Sequence, residues 1–219
     1  MPFMGLKPVS GGRAWSTNFG NYTTGSPPSD WTVRWDSISS ITVETGTGLG
    51  GKELTTATSS NGAYAVSWDT PDSLADVEAL CKIKIDGNDS DGSVKVFVRG
   101  GGGSSTRVGY YLRFIHNSDT VTLNVYDDPG ASSATLDSAA FSGLARDIWY
   151  WVRIRAIGSS IKAKVWQDGN SEPGTWTLEA TDTTITAAGW QGFGWWTDSE
   201  APEVDYYSVA SGGLTAPGP

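Results

Sequence analysis

A single cysteine, Cys81, excludes an internal disulfide framework. It shares parity with Val77, Ala79, Ile83 and Ile85, which makes it a small buried apolar residue rather than a reactive thiol. The single histidine, His116, has no metal-ligand partner in sequence. Serine, histidine and aspartate occur without a nucleophile-elbow pattern, so no catalytic triad can be argued. Gly100 to Gly103 is followed by no Gly-Lys-Ser/Thr and opens no helical pattern, which excludes a phosphate loop. No apolar run approaches the length that spans a bilayer. The start, Met-Pro-Phe-Met-Gly-Leu-Lys-Pro, lacks the basic segment and apolar core of a secretory signal. The expectation is a chain made and folded in a cytosol, with no membrane contact, able to act outside the cell on release by lysis. Lys, Arg and Glu are sparse, whereas Gly (28) and Trp (11) are abundant among many Ser and Thr, which is strand-and-turn chemistry rather than helix chemistry. A net charge of −9 argues against a dedicated nucleic-acid binder. The charge is uneven: residues 81–164 hold eleven Lys/Arg against eight Asp/Glu, and residues 165–219 hold eight acids and no Lys or Arg. A solvated surface with a polar gradient accounts for that distribution.

The stretch Ile148 to Gln167 alternates strictly on both sides of Gly158-Ser-Ser. Tyr150, Val152, Ile154 and Ala156 oppose Trp149, Trp151, Arg153 and Arg155; after the turn Ile161, Ala163 and Val165 oppose Lys162, Lys164 and Trp166. That is a β-hairpin with one apolar face for a core and one basic-aromatic face that must meet water or a partner. Similar short runs recur along the chain, including Ile41–Glu44, Lys52–Ala57, Ala63–Trp68, Val77–Ile85 and Val94–Arg99 with its valines on one face. Val108–His116, Thr120–Tyr126, Gly189–Trp196 and Glu203–Ala210 continue the pattern, and Ala134–Phe141 is a strand or an extended link. A dozen or so short strands separated by turns predict one all-β domain, a two-sheet sandwich or a barrel. Residues 1–17 read as an extended N-terminal arm, 18–210 as the domain and 211–219 as a C-terminal tail.

Several segments carry a resemblance. Tyr22-Thr-Thr-Gly with Pro28-Ser-Asp-Trp31, the central hairpin running into Glu172-Pro-Gly-Thr-Trp176, and the closing Val204-Asp-Tyr-Tyr-Ser-Val-Ala210 resemble the concanavalin A-like (lectin/glucanase, laminin-G-like) jelly-roll superfamily. In style the likeness is to a version found in phage-encoded virion proteins. It covers roughly residues 19–210 and implies a two-sheet antiparallel jelly-roll sandwich. The fold hosts lectins, glycosidases and structural virion proteins alike, so it does not fix a function.

Glucanases of this superfamily carry Glu-x-Asp-x-x-Glu on a strand. Here Glu203-Val-Asp205-Tyr-Tyr-Ser208 begins that pattern and ends on a serine, which cannot protonate a leaving group. No catalytic residues and no enzyme activity are therefore expected. Asp86-Gly-Asn-Asp-Ser-Asp-Gly92 suggests a calcium loop, but the sixth and twelfth positions counted from Asp86 are Asp91 and Phe97 where Gly and Glu are needed. A solvated hairpin tip is the expectation, with no metal and no cofactor. The aromatic set is more telling. Trp151 and Trp166 share a face with Arg153, Arg155, Lys162 and Lys164, and Trp190, Gly192, Gly194 and Trp196 share another. Glycines flanked by tryptophans form a strip on which a sugar ring could stack, or they relieve crowding where sheets curve. A protein partner could use the same Trp/Arg surface.

The resemblance and the arm together lead to a non-enzymatic virion surface protein, on head or tail, that contacts other virion proteins and forms a homo-oligomer in the assembly. Its arm residues Phe3, Met4, Leu6 and Trp15 would be the anchor, because strand addition to a neighbour would help to offset the entropy of ordering them. The alternative is a carbohydrate-binding module or adhesin for host surface glycans, and the third reading is a glycan-degrading enzyme.

Overall fold

Alternation in the central stretch resolves into two paired strands within a sandwich. The computed structural model describes residues 11–35, 40–57, 62–87, 93–115, 118–127, 132–196 and 200–219. Among them fifteen strands follow in chain order. The first eight are β1 (Ala14–Thr17), β2 (Trp31–Trp35), β3 (Ser40–Thr45), β4 (Lys52–Ala57), β5 (Ala63–Trp68), β6 (Val77–Gly87), β7 (Ser93–Gly101) and β8 (Val108–Ile115). Then come β9 (Thr120–Asp127), β10 (Ser133–Ala140), β11 (Trp149–Ile157), β12 (Ser160–Gln167), β13 (Leu178–Thr181), β14 (Trp190–Trp196) and β15 (Glu200–Ser211). No helix among the described residues is long and apolar enough to cross a membrane.

The strands form two antiparallel sheets. One has eight strands in the order β13-β12-β11-β6-β15-β4-β3, with β1 pairing on β15; the other has seven, β10-β9-β8-β7-β14-β5-β2. Of the sandwich and the barrel that the strand pattern allows, this is the sandwich, with the jelly-roll architecture that the resemblance implies. In the β11–β12 hairpin Ile157 stands opposite Ser160, so Gly158 and Ser159 alone make the turn. Gly158 takes a φ of +54°, a conformation that costs glycine little.

The core lies where the inward rows of the two sheets meet. Val77, Ala79, Cys81 and Ile83 of β6 and Tyr150, Val152, Ile154 and Ala156 of β11 come from the eight-stranded sheet. Val94, Val96 and Val98 of β7, Tyr110, Leu112 and Phe114 of β8, and Phe193 and Trp195 of β14 come from the other. Cys81 is fully buried there, and burial, aided by the negative charge of Asp205, pushes its thiol pKa well up. It is the inert packing residue that its parity implies.

One irregularity governs the closing strand. A bulge in β15 between Val204 and Tyr206 breaks the alternation. Val204 and Tyr207 both enter the core, while Tyr206 joins a cluster on the outer side with Trp151 and Trp166. Asp205 turns to Lys82 on the same outer side.

The two ends of the described chain are tied to the sandwich. Trp15, read from sequence as part of the arm, stands on β1 opposite Val209 and packs against the core. A four-residue strand is too short to show periodicity, which is why its sheet pairing escapes a pattern reading. Phe3, Met4 and Leu6 lie outside the described residues. In the tail the Tyr206 and Ser208 hydroxyls donate to Pro217 O at 2.9 and 2.7 Å, and Ala216 N donates to Glu78 Oε1 at 3.0 Å. The tail is thus a backbone strap across the outer face of the eight-stranded sheet.

Candidate functional site

The basic-aromatic residues of the hairpin do come together. Trp151 stands opposite Trp166, Arg153 opposite Lys164 and Arg155 opposite Lys162. The two indoles stack at 6.2 Å between centroids, and Trp151 Nε1 donates to Asp168 Oδ1 at 2.7 Å. What covers this face is the chain itself. Arg153 donates to Glu78 Oε1 at 2.6 Å, to Glu172 at 2.7 and 2.9 Å and to Ala216 O at 2.8 Å. Lys164 Nζ lies 2.8 Å from Glu172 Oε1, donates to Pro173 O at 2.7 Å and sits 5.0 Å from the Trp176 ring centroid. Lys162 pairs with Glu179 at 2.6 Å, and Arg155 donates to Gly213 O at 2.8 Å. Trp151, Trp166 and Arg153 retain 8, 7 and 4 % of their exposure. Burial disfavours the Arg153 charge, but the bonds and charges of Glu172 and Glu78 outweigh it and hold its pKa above the ordinary value. The apposition is with the loop after β12 and the C-terminal strap, and every cation in it has a carboxylate within the chain.

The carboxylates of the closing strand are committed in the same way. Glu203 Oε2 lies 2.8 Å from Lys84 Nζ, and Asp205 Oδ2 lies 3.0 Å from Lys82 Nζ. Ser208, at the position where the glucanase pattern has its last glutamate, gives its hydroxyl to Pro217 O. The acids that do approach each other are Glu53 and Glu203. Burial raises the Glu53 pKa, and a hydrogen bond to Glu203 and that residue's charge raise it further. Carboxyls in such close contact do not straddle a glycosidic bond, for which about 5–5.5 Å or more is needed. Among the described residues no group of three or more His, Cys, Asp or Glu is placed to hold a metal ion. Most of the Asp86–Gly92 turn and His116 lie outside the described residues.

The outer face of the seven-stranded sheet is built differently. Inward valines on β7 send Ser93, Lys95 and Phe97 outward, and inward Tyr110, Leu112 and Phe114 on β8 send Tyr111 and Arg113 outward. Trp35, Phe97, Tyr111, Tyr126 and Trp190 form an aromatic cluster there. Trp35 meets Phe97, Tyr126 and Trp190 edge-on at 5.0, 5.6 and 5.6 Å, and Tyr111 stacks on Tyr126 at 4.7 Å. The Arg107 guanidinium lies 5.6 Å from the Trp35 centroid.

Beside the cluster, Ser93, Lys95, Tyr111, Arg113, Tyr126, Ser133 and Trp196 line a cavity of about 170 Å³. Lys95 is 4 % exposed, with its ammonium 5.9 Å from the Tyr111 ring and 5.8 Å from that of Trp196. Burial, then the positive charges of Arg113 and Arg107, push its pKa down to about 7. Among the described residues neither Lys95 nor Arg113 has an ion-pair partner. Arg113 Nε and Ser93 Oγ are buried without a hydrogen-bond partner. Trp196 is 44 % exposed at the rim. A larger cavity, about 460 Å³, opens between β1 and the C-terminus, but its lining from Ser16 to Pro219 holds no charged side chain.

The glycine strip on β14 is less bare than its sequence implies. The Trp190 ring lies against Gly100, where a Cβ would collide with it, and the Phe97 ring crowds Gly194. At Gly192 a Cβ would strike the β5 backbone at Val66 and Ser67. These glycines admit close strand and ring packing, and Trp190 is 8 % exposed. Only Trp196 of the strip keeps an open ring. Lys95, Arg113, Tyr111, Tyr126 and Trp35 were not among the residues singled out from sequence. Their outward parity is visible in the valine and Tyr/Leu/Phe rows, but their convergence depends on strand register.

Two antiparallel sheets packed face to face define a jelly-roll sandwich, and solved structures share that architecture. No family model and no curated protein matches the chain. The carbohydrate-binding module CBM66 from Bacillus subtilis is 18 % identical, with 81 % of this chain and 94 % of that one aligned at a TM-score of 0.56. The exoplasmic/lumenal domain of VIP36 in a Ca2+-bound form is 12 % identical, covering 92 % and 90 % at 0.61. Peanut lectin is 13 % identical, covering 93 % and 98 % at 0.58. At these identities the likeness is one of fold alone: a two-sheet antiparallel jelly-roll sandwich.

Proposed function

We propose that this chain is a non-catalytic saccharide-binding module that holds its ligand on the outer face of the seven-stranded sheet. The observation that carries this is the exposed Trp196 ring beside a cavity whose buried polar atoms, Ser93 Oγ and Arg113 Nε, have no partner among the described residues. Buried polar groups left open cost stability unless a ligand satisfies them. An aromatic ring next to such donors suits a sugar, which has an apolar ring face and hydroxyls at its edge. Lectins and a carbohydrate-binding module among solved structures of the same fold favour this reading over others. The carboxylates near β15 are held in ion pairs and hydrogen bonds, which favours binding over hydrolysis.

A place on a virion surface, on phage head or tail, draws no support from these relatives. The C-terminal tail lies against its own domain. What remains for it is the composition of residues 1–10. The test of the leading reading is a glycan array probed with the whole chain and with Trp196→Ala. Retention of selected glycans by the parent, reduced about twofold to tenfold in the variant while the fold is unchanged, supports it, since stacking on an aromatic face contributes roughly 0.5–1.5 kcal/mol beyond area burial. An array on which parent and variant give the same signals overturns it.

A further inference from the structure

The charge pattern of the cavity narrows the class of saccharide. Lys95 and Arg113 stand directly opposite each other on β7 and β8, and like charges in directly opposed positions repel. On its other side Lys95 faces Gly194, which has no side chain to offer, and beyond Arg113 stands Thr122. The whole row across the sheet reads Trp35, Ala65, Gly194, Lys95, Arg113, Thr122, Ser138. The rows above and below it, through Trp196 and Ser93 and through Phe97, Tyr111 and Asn124, also contain no acid. Arg107 adds a third positive charge close enough to act on Lys95.

An ammonium buried in this way is expensive to keep, because it has lost water and gained no counter-ion among the described residues. Elsewhere in this molecule the problem is solved internally: Lys82, Arg153 and Lys164 each have a carboxylate at 3.0 Å or less. A neutral sugar could satisfy Ser93 Oγ and Arg113 Nε, but its hydroxyls could not balance two adjacent cations. An oxyanion could, and the arginine fork matches the planar geometry of a carboxylate and the oxygens of a sulfate. The remaining lining, three hydroxyls from Tyr111, Tyr126 and Ser133 and the open ring of Trp196, suits a hydroxylated ring rather than a bare ion. A volume of about 170 Å³ admits one such unit.

We infer that the cavity binds an acidic sugar, a ring bearing a carboxylate or a sulfate, with the anion between Lys95 and Arg113 and the ring against Trp196. This rests on the saccharide-binding reading and names its ligand class.

The experiment is calorimetric titration of the whole chain with two charged sugars and their uncharged twins. The pairs are trigalacturonate with its methyl ester and sulfated maltotriose with maltotriose, and sodium sulfate serves as the free anion. The expected result is that at least one charged sugar binds about tenfold or more tighter than its twin, with sulfate ion far weaker. Lys95→Met should remove that preference while the folded protein keeps its thermal stability, and Arg113→Gln, at a less buried position, should reduce it in the same direction. Equal binding of charged and uncharged twins, with loss of both in Trp196→Ala, overturns the acidic-sugar inference and leaves the saccharide reading standing. Sulfate ion binding as tightly as the sugars, or binding of none of the four sugars, overturns both. A Lys95→Met protein that unfolds would show that Lys95 has a structural partner and would also overturn the inference, provided Arg113→Gln leaves the charge preference unchanged.

Discussion

The two outer faces of this sandwich carry similar residues and treat them in opposite ways. On the eight-stranded sheet, Arg153, Arg155, Lys162 and Lys164 are matched by Glu78, Glu172 and Glu179 and strapped over by residues 213–217. On the seven-stranded sheet, Lys95 and Arg113 share a cavity with aromatic rings and no described acid. The response of the charged groups makes the contrast quantitative in sign: Arg153 and Lys82 are held above their ordinary pKa despite burial, whereas Lys95 is pushed below it. Cations and tryptophans on a strand face are therefore not in themselves a binding surface. A face whose charges close upon one another is architecture. One whose charges are left open has a reason to meet something else, since buried charge is otherwise paired.

The largest expected effect lies on the closed face. Arg153→Ala leaves the 1 % exposed Glu78 side chain without its closest cation. Breaking a buried pair from one side costs about 3–5 kcal/mol, so chemical denaturation should show a loss of that order. A loss below about 1 kcal/mol, the range of exposed pairs, would mean that the strap does not seal the face and that the two faces are alike.

Lys95→Met should do the reverse on the open face. Replacing a buried unpaired charge by an apolar side chain of similar length is neutral or stabilising by up to about 1–4 kcal/mol. The pH dependence follows from the direction of the shift. The unfolded chain keeps the Lys95 proton up to its ordinary pKa, while the folded protein releases it near pH 7. Between those values the unfolded state binds more protons, so the parent gains stability as pH rises, and below pH 7 the full penalty is present. The groups that set this are Arg113 on β8 and Arg107 before it. The advantage of Lys95→Met should thus be greatest at pH 6 and shrink toward pH 10. An advantage that is flat across that range would mean that Lys95 has a counter-charge.

Much of the fold was legible in the residues. The β11–β12 hairpin is announced by strict alternation on both sides of a Gly-led turn, while its register, with Ile157 opposite Ser160 and only two residues in the turn, comes from the structure. The valines of β7 and the buried parity of Cys81 were equally plain. The function of the outward residues was not, because it depends on partners remote in sequence. Arg153 is neutralised by Glu78, 75 residues away, and bonded by Ala216, 63 away. The same limit applies to the open face: Lys95 and Arg113 each read as an ordinary outward charge on its own strand. Only the register that sets them opposite each other, with Gly194 beside them, reveals two cations and no acid. Trp190 was misleading for a local reason, since the glycines that seemed to expose it exist to let rings and strands close in.

The central claim is that Lys95 is a buried cation without a counter-charge among the described residues, and the most direct measurement is its own titration. With lysine side chains isotopically labelled and Lys95→Met used for assignment, NMR should show the Lys95 ammonium titrating near pH 7 in the free protein. On addition of trigalacturonate or sulfated maltotriose, whichever binds, its pKa should move back up toward the ordinary lysine value of about 10.4. A Lys95 that already titrates at the ordinary value in the free protein, and does not move when either charged sugar is added, would contradict the account.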